Sequence, residues 1–388
     1  MVFNQGICGL RGTVECFPER CVDNHADAKK YASFYFRWVL LTIAVIETTL
    51  NEIEIPLSVC YNVSVLSSCP PKYNLPGRKI HLNLWCVGME LPERRNGGNI
   101  MDYSNCTLCP RACGADRAGG KTGWCRCPGE ALVAKTMIHK WEEPALAGSG
   151  GCGAAFFGSC TLGCSYCQNR AISGGPVGKT VDSAGLRHIF EDLIAQGAEN
   201  IDLVTPTQFL PTILPALTPK LPVPVVYNCG GYERVETLRA LEGLVDIYLP
   251  DLKYSRARLG RNLSGAVDYF PTAKRAIREM VRQAGPVQWQ AGRVTRGVII
   301  RHLILPGQVD NSLGVLDWIG SAFAPGEVLV SLMRQYTPMP GMEPPFDRAI
   351  TDEEYDAVLS WMYLNDLEGF TQEAAASDHG FIPDFSSD

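Results

Sequence analysis

The sequence predicts an α/β protein: an open, partial (β/α)6 barrel preceded by a cysteine-rich lead segment. From Gly153 onward, short β-branched or apolar runs alternate with helical patterns, the signature of β/α units around a parallel sheet. Six such runs fit between residues 153 and 334, a stretch too short for the roughly 250 residues of a closed eight-stranded barrel. Each run ends in polar, Gly or Pro residues, the composition of a rim that carries chemistry.

The expected strands are 154–158, 200–205, 223–227, 245–249, 297–305 and 328–333. Ser183 is placed to cap a helix that runs to Gln196 and stops at Gly197, and a second helix is expected over 232–244. Others are expected over 269–284 and over 311–323, the latter capped by Asp310. Thr351 and Glu354 form a capping box that opens a last helix towards Asp366. The organisation is therefore a poorly patterned extension (1–100), the lead segment (101–150), the barrel (151–340) and a C-terminal helix and tail (341–388).

A chain of 388 residues with 46% hydrophobic and 20% charged content is ordinary for a globular protein. A formal net charge of -6 argues against a general nucleic-acid binder, which needs a basic stripe to neutralise phosphates. Residues 38–46 are apolar but are closed by Glu47, well short of the about 20 residues of a spanning helix, so no membrane anchor is expected. No signal peptide is recognisable, which points to the cytoplasm, where thiols stay reduced. The sixteen cysteines are bunched in close sets, a pattern of metal ligands rather than of a secreted disulfide framework. Cys8, Cys16, Cys21, Cys60, Cys69 and Cys86 are the exception, widely spaced and without a readable site. The abrupt change of pattern at Met101 suggests that the natural start lies there.

The most informative sequence is Cys160-Thr-Leu-Gly-Cys164-Ser-Tyr-Cys167, directly after the first predicted strand. Thiolates are the usual ligands of iron–sulfur clusters, and a [4Fe-4S] cube ordinarily takes four. Three from this loop leave one iron open, where S-adenosyl-L-methionine can chelate for one-electron cleavage to a 5′-deoxyadenosyl radical. Gly163 relieves crowding where the backbone wraps the cluster, and Tyr166 offers an aromatic face for adenine. Structural zinc is the competing reading, but it wants four ligands and usually paired two-residue spacings.

With these residues in place, the sequence resembles the radical S-adenosylmethionine superfamily, and more closely the homologues of pyruvate formate-lyase activating enzyme. The resemblance covers about residues 101–370 and rests on Cys160, Cys164 and Cys167 and on the runs IDLVTPT (201–207), YNCGGYE (227–233), DIYLPDLK (246–253) and RHLILPG (301–307). It implies cofactor contacts from Asn228, Asp251 and Lys253 at strand ends and from His302. Plainer roles compete: Asn228 as a turn residue, Lys253 as the partner of Asp251, His302 as a satisfied core residue. The family commonly ends its second strand in Gly-Gly-Glu, which binds the methionyl amino group; here Thr205-Pro206-Thr207-Gln208 stands instead. Thr205 and Thr207 are the candidate replacements, through hydroxyl or backbone oxygens.

A second set, Cys106, Cys109, Cys113 and Cys125, with Cys127 as a spare, lies in the Gly-rich lead segment. Its spacings suit a second Fe–S cluster or zinc, binding of which would order a segment too small to fold alone. Cys152 and Cys229 read as small packing residues. The resemblance implies a glycyl-radical enzyme as protein substrate and a flavodoxin- or ferredoxin-like electron donor. The rival class is an iron–sulfur electron carrier or structural metal protein that cleaves nothing, which would use a fourth thiolate and need no large cofactor pocket. If the natural start is Met101, mass spectrometry of the native protein will find no peptides from before it at full abundance.

Overall fold

The computed structural model describes residues 101–372, Phe385 and two short strands, β1 (Val63–Val65) and β2 (Ile80–Leu82). The chain divides into two compact units, Met1–Asn96 and Gly97–Asp388. In the first, β1 and β2 pair antiparallel; the proposed start at Met101, the six early cysteines and the apolar stretch 38–46 otherwise fall outside the described residues.

The second unit is an open sheet of mostly parallel strands. In chain order these are β3 (Ala131–His139), β4 (Cys152–Phe157), β5 (Lys179–Val181), β6 (Ile201–Val204), β7 (Val225–Cys229), β8 (Ile247–Pro250), β9 (Gln288–Gln290), β10 (Arg293–Leu303), β11 (Leu329–Met333) and β12 (Gly369–Thr371). The order across the sheet is β12-β11-β10-β8-β7-β6-β4-β3-β5, with β9 pairing β10. All neighbours from β4 to β12 are parallel, and β3 and β5 add antiparallel strands at the edge. The edges do not meet, so this is a partial barrel, and all six expected strands are present. Among the described residues β3, β5, β9 and β12 go beyond the six expected strands, and β3 falls within the lead segment, residues 101–150.

The helices are α1 (Pro144–Ala147), α2 (Arg170–Ser173), α3 (Ser183–Ala195), α4 (Leu210–Ala216), α5 (Val235–Arg239), α6 (Ala257–Ser264), α7 (Tyr269–Ala284), α8 (Val309–Ala322) and α9 (Asp352–Leu364). The α7 bounds and the Thr351–Glu354 capping box are as expected. Other helix ends differ for identifiable reasons. Asp182, not Ser183, caps α3 by accepting from the Gly185 N–H at 2.7 Å, while the Ser183 hydroxyl donates to the Thr212 carbonyl. Asp310 lies in the first turn of α8 rather than at its cap. The helix expected over 232–244 shortens to α5, because beyond it the chain closes i→i−3 turns, such as Leu241 N–H to the Leu238 carbonyl.

Alternation along the strands sorts the interior. Leu203, Tyr227, Tyr248, Ile300 and Leu332 face a core that includes Phe190, Ile277 and Val315 from α3, α7 and α8. The other face carries Val226, Ile247, Leu249 and Ile299, against which α1 packs through Ala145, Leu146 and Ala147. Further along that second face the same parity brings up Asp202, Asn228, Asp251 and Arg301.

Ahead of β3, the lead segment is fastened by a buried arginine. Arg117, 1% exposed, donates to the Pro128 carbonyl from Nε and Nη2 (3.0 and 2.6 Å) and to the Gln208 carbonyl from Nη1 (2.7 Å). Its guanidinium also sits 4.5 Å from the Tyr103 ring centroid. Arg117→Ala strands these carbonyls in a dry interior and is expected to cost about 3 kcal/mol, read as a lowered urea midpoint.

Candidate functional site

The segment after β4 builds the site. Ser159 (φ 64°) and Gly163 (φ 69°) turn the chain through left-handed backbone, so it cannot continue as strand or helix, and its carbonyls need partners from elsewhere. Gln208 supplies the first: its side-chain amide donates to the carbonyls of Gly158 (3.1 Å), Ser159 (3.3 Å) and Thr205 (2.8 Å). Arg111 of the lead segment supplies the second, donating to Thr161, Leu162 and Ser264 carbonyls at 3.3, 3.1 and 2.7 Å and to Gly265.

Held in this way, Cys160, Cys164 and Cys167 line one cavity of about 230 Å³. Each sulfur accepts a hydrogen bond: Cys160 from the Leu162 N–H (3.4 Å), Cys164 from the Ser264 hydroxyl (3.2 Å) and Cys167 from the Ser173 hydroxyl (3.3 Å). Burial, and after it the neighbouring Cys164 and Cys167, pushes the Cys160 thiol up to about 12. Tyr166 is on the cavity wall, its hydroxyl 2.8 Å from that of Tyr254 and its ring packed on Tyr336.

Across the cavity stands a polar network. Arg301 donates from Nε to Asp251 (2.9 Å), from Nη1 to Glu142 (3.0 Å) and from Nη2 to the Asn228 side-chain oxygen (2.6 Å). The Asn228 amide donates to Asp202 (3.3 Å), and Lys253 Nζ donates to Asp251 (2.5 Å). Burial opposes ionisation of Asp251, but Arg301 and Lys253 outweigh it and hold the carboxyl below its ordinary range. The remaining acids go the other way: burial, then acidic neighbours, raises Glu142 to about 7 and Glu143 to about 8, and burial raises Asp202 to about 6.

Of the expected cofactor contacts, Tyr166, Thr205, Asn228, Asp251 and Lys253 line this cavity, and Thr207 and His302 do not. His302 follows Arg301 in β10, so its side chain takes the opposite face, where Nδ1 lies 2.7 Å from the Leu252 carbonyl and Nε2 2.9 Å from the Ser312 hydroxyl. Thr207 is buried against Glu233 (2.9 Å) and Tyr227 (3.0 Å). Glu142, Asp202, Arg301, Arg111 and Gln208 were not singled out from the sequence. Arg301 and Asp202 were findable, since they share strand parity with the rim residues; Glu142, Arg111 and Gln208 were not, because their partners lie far away in the chain. Cys229, expected as packing, is buried yet touches the cavity.

The lead-segment thiols are less gathered. Cys106, Cys109 and Cys127 are buried, Cys125 is half-buried and Cys113 is exposed, its sulfur resting over Gly123. Among the described residues, no three His, Cys, Asp or Glu side chains are arranged to hold a single metal ion. That holds for Cys160, Cys164 and Cys167 as well. Among the described residues no helix is long and apolar enough to cross a membrane.

No family model matches the chain. It is 28% identical over 269 residues to the Uncharacterized protein MJ0674 of Methanocaldococcus jannaschii, covering 66% of this chain and 74% of that one. Among solved structures it is similar to a radical SAM methyltransferase from Sphaerobacter thermophilus (14% identity, TM-score 0.42, 57% of this chain and 65% of that one). It is also similar to methylornithine synthase, PylB (16% identity, TM-score 0.37, 54% and 63%). The matches thus span less than two thirds of the length of those two solved chains.

The raised Glu143 makes stability depend on pH. A carboxyl held near 8 in the fold and near 4.5 when unfolded keeps its full contribution below about 4.5 and loses it as pH rises through about 8. Glu143→Gln removes that titration, so its melting temperature is expected to fall less than that of the wild type over this range, by several degrees, in pH-resolved calorimetry.

Proposed function

We propose that this chain is a radical S-adenosylmethionine enzyme, in which Cys160, Cys164 and Cys167 hold a [4Fe-4S] cluster beside the cavity. The observation that carries the reading is the convergence of three hydrogen-bonded sulfurs from a single loop on one cavity whose other wall is charged. The donor set fits the cluster: thiols are its usual ligands, three leave a coordination position open, and hydrogen bonds to sulfur tune its potential. When bound, the cluster supplies the electron that splits S-adenosyl-L-methionine into methionine and a 5′-deoxyadenosyl radical.

The chain's own residues hold and orient the cofactor. Asp251 and Asn228, on the cavity wall, would meet polar groups of the ribose and methionyl moiety, Lys253 would offer a cation to the carboxylate, and Thr205 would take the part of the missing Gly-Gly-Glu towards the amino group. Tyr166 gives an apolar wall. The Arg301 network keeps these rim groups in fixed orientations, which spares ordering cost on binding. A partner glycyl-radical enzyme is the narrower reading, supported by the sequence runs quoted above. An auxiliary Fe–S cluster on the lead-segment thiols is likewise supported by spacing.

Anaerobically reconstituted protein is expected to carry about four iron per chain at this loop and, with dithionite and S-adenosyl-L-methionine, to release 5′-deoxyadenosine and methionine. Single Ala substitutions of Cys160, Cys164 or Cys167 should abolish the product and the matching share of iron. Cluster-replete protein that makes no 5′-deoxyadenosine would instead support the electron-carrier class.

A further inference from the structure

Four tyrosines lead in an unbroken line from the cavity towards the lead segment. Tyr166 stands on the cavity wall. Its hydroxyl lies 2.8 Å from that of Tyr254, and the two ring centroids are 6.5 Å apart. Tyr254 meets the ring of Tyr269 at 5.0 Å, and Tyr269 stacks on Tyr232 at 6.1 Å. Beyond Tyr232 the contact continues through the Arg111 guanidinium, 5.2 Å from that ring and 4.0 Å from the ring of Trp124. All four tyrosines are buried, whereas Trp124 is 51% exposed.

Packing alone does not ask for this composition. Phenylalanine would fill the same volume without a hydroxyl, and a buried hydroxyl costs free energy unless it is bonded. Here each is bonded, and the partners differ along the line in a way that governs oxidation. A phenol that loses an electron also gives up its proton, so it is oxidised most readily beside a base. Burial raises the proton affinity of all four phenols, which makes the partner decisive. Tyr254 bonds the hydroxyls of Tyr166 and Ser264 at 2.8 and 2.7 Å, and Tyr269 donates to the Gly230 and Asp251 carbonyls at 2.9 and 2.8 Å. Hydroxyls and carbonyls are weak bases. Tyr232 instead donates to the carboxylate of Asp268 at 2.7 Å, and Asp268 is exposed. Tyr336, which packs on Tyr166 at 5.8 Å, is a closed branch, since its hydroxyl ends on the Phe346 carbonyl.

We infer that Tyr166, Tyr254, Tyr269 and Tyr232 form an oxidation path that carries an unspent radical equivalent out of the cavity to the Tyr232–Asp268 pair. The inference rests on the cofactor reading above. Tyr166 gives its phenolic hydrogen atom to a 5′-deoxyadenosyl radical that meets no substrate: a C–H bond forms, the O–H bond breaks, the nucleoside is reduced by one unit and Tyr166 is oxidised by one. An electron from Tyr232, passed through Tyr269 and Tyr254, refills Tyr166, which takes a proton from solvent. The Tyr232 proton goes to Asp268. A soluble thiol then returns one electron to Tyr232, and Asp268 returns the proton. The thiol's own proton goes to solvent and its sulfur ends as half of a disulfide. The sum is one hydrogen atom moved from the thiol to the nucleoside, and the cavity wall is spared lasting oxidation.

The test begins with the full chain free of cluster, its exposed indoles oxidised by azide radicals in pulse radiolysis. All proteins carry Trp141→Phe, because Trp141 borders the cavity itself. With the other residues intact, the indolyl band is expected to give way to a tyrosyl band, and a small nitroso spin trap to label Tyr166. Trp124→Phe, which removes the point of entry, and Tyr232→Phe, which breaks the line, are both expected to lose that label. Asp268→Asn keeps a hydrogen-bond acceptor but no base, and should slow the decay of the indolyl band while leaving the near-ultraviolet circular dichroism unchanged. In cluster-loaded protein given dithionite, S-adenosyl-L-methionine and dithiothreitol, Tyr232→Phe should keep the iron content and the 5′-deoxyadenosine yield but gather oxidised residues on the cavity wall, read by peptide mass spectrometry. Equal labelling of Tyr166 with and without Tyr232→Phe would overturn the proposal, as would no label when the line is intact. Loaded protein that makes no 5′-deoxyadenosine would sink the cofactor reading, while the labelling of the cluster-free chain decides the path by itself.

Discussion

An irregular loop that carries three thiols has to be held still by groups outside itself, and everything else about the site depends on that. The turn from Ser159 to Cys167 pairs few of its own backbone groups, and buried carbonyls without partners are costly. Two side chains solve the problem from opposite ends. Gln208, from the turn after β6, takes the carbonyls at the loop's entrance. Arg111, from the lead segment, takes those in its middle and ties them to the end of α6. A guanidinium suits this work because it presents several donors in a rigid plane.

This arrangement gives the lead segment a structural part whatever its cysteines bind. It is joined to the barrel by side chains aimed at carbonyls in both directions: Arg117 donates to Gln208 of the barrel, and Arg234 and Thr237 of the barrel donate to Thr107 and Leu108. Gln208 is thus held by Arg117 at its backbone while it holds the cysteine loop with its amide. Lead segment, β6 turn and cysteine loop form one mechanical chain, and a change in any of them reaches the sulfurs.

The opposite wall follows a different logic. Four carboxylates and two cations crowd this wall, and of the four only Asp251 is held below its ordinary range, because it alone touches both Arg301 and Lys253. Glu142, Glu143 and Asp202 gain from keeping protons. The wall thus combines an anion fixed by Arg301 and Lys253 with carboxyls whose proton affinity burial raises, and it presents oriented donors and acceptors to the cavity.

How far the sequence alone reaches can be seen residue by residue. Strand patterning and the Cys160–Cys167 spacing are local properties, set by period-2 alternation and by a short loop, and they were legible: the six strands, α7 and the Thr351 cap all follow from such local signals. The gathering of Asn228, Asp251 and Lys253 on one wall was legible too, since it needs only strand ends and parallel register. The fate of His302 lay in the same parity, which turns it away from the wall that Arg301 faces, whereas the motif by itself marks both neighbours alike. Arg111, Gln208 and Glu142 were not legible, because their partners are fixed only when distant segments pack. Local chemistry determined what this protein can bind, while tertiary packing decided which residues hold that chemistry in place, because a side chain far off in sequence acquires its role only through the contact that folding creates.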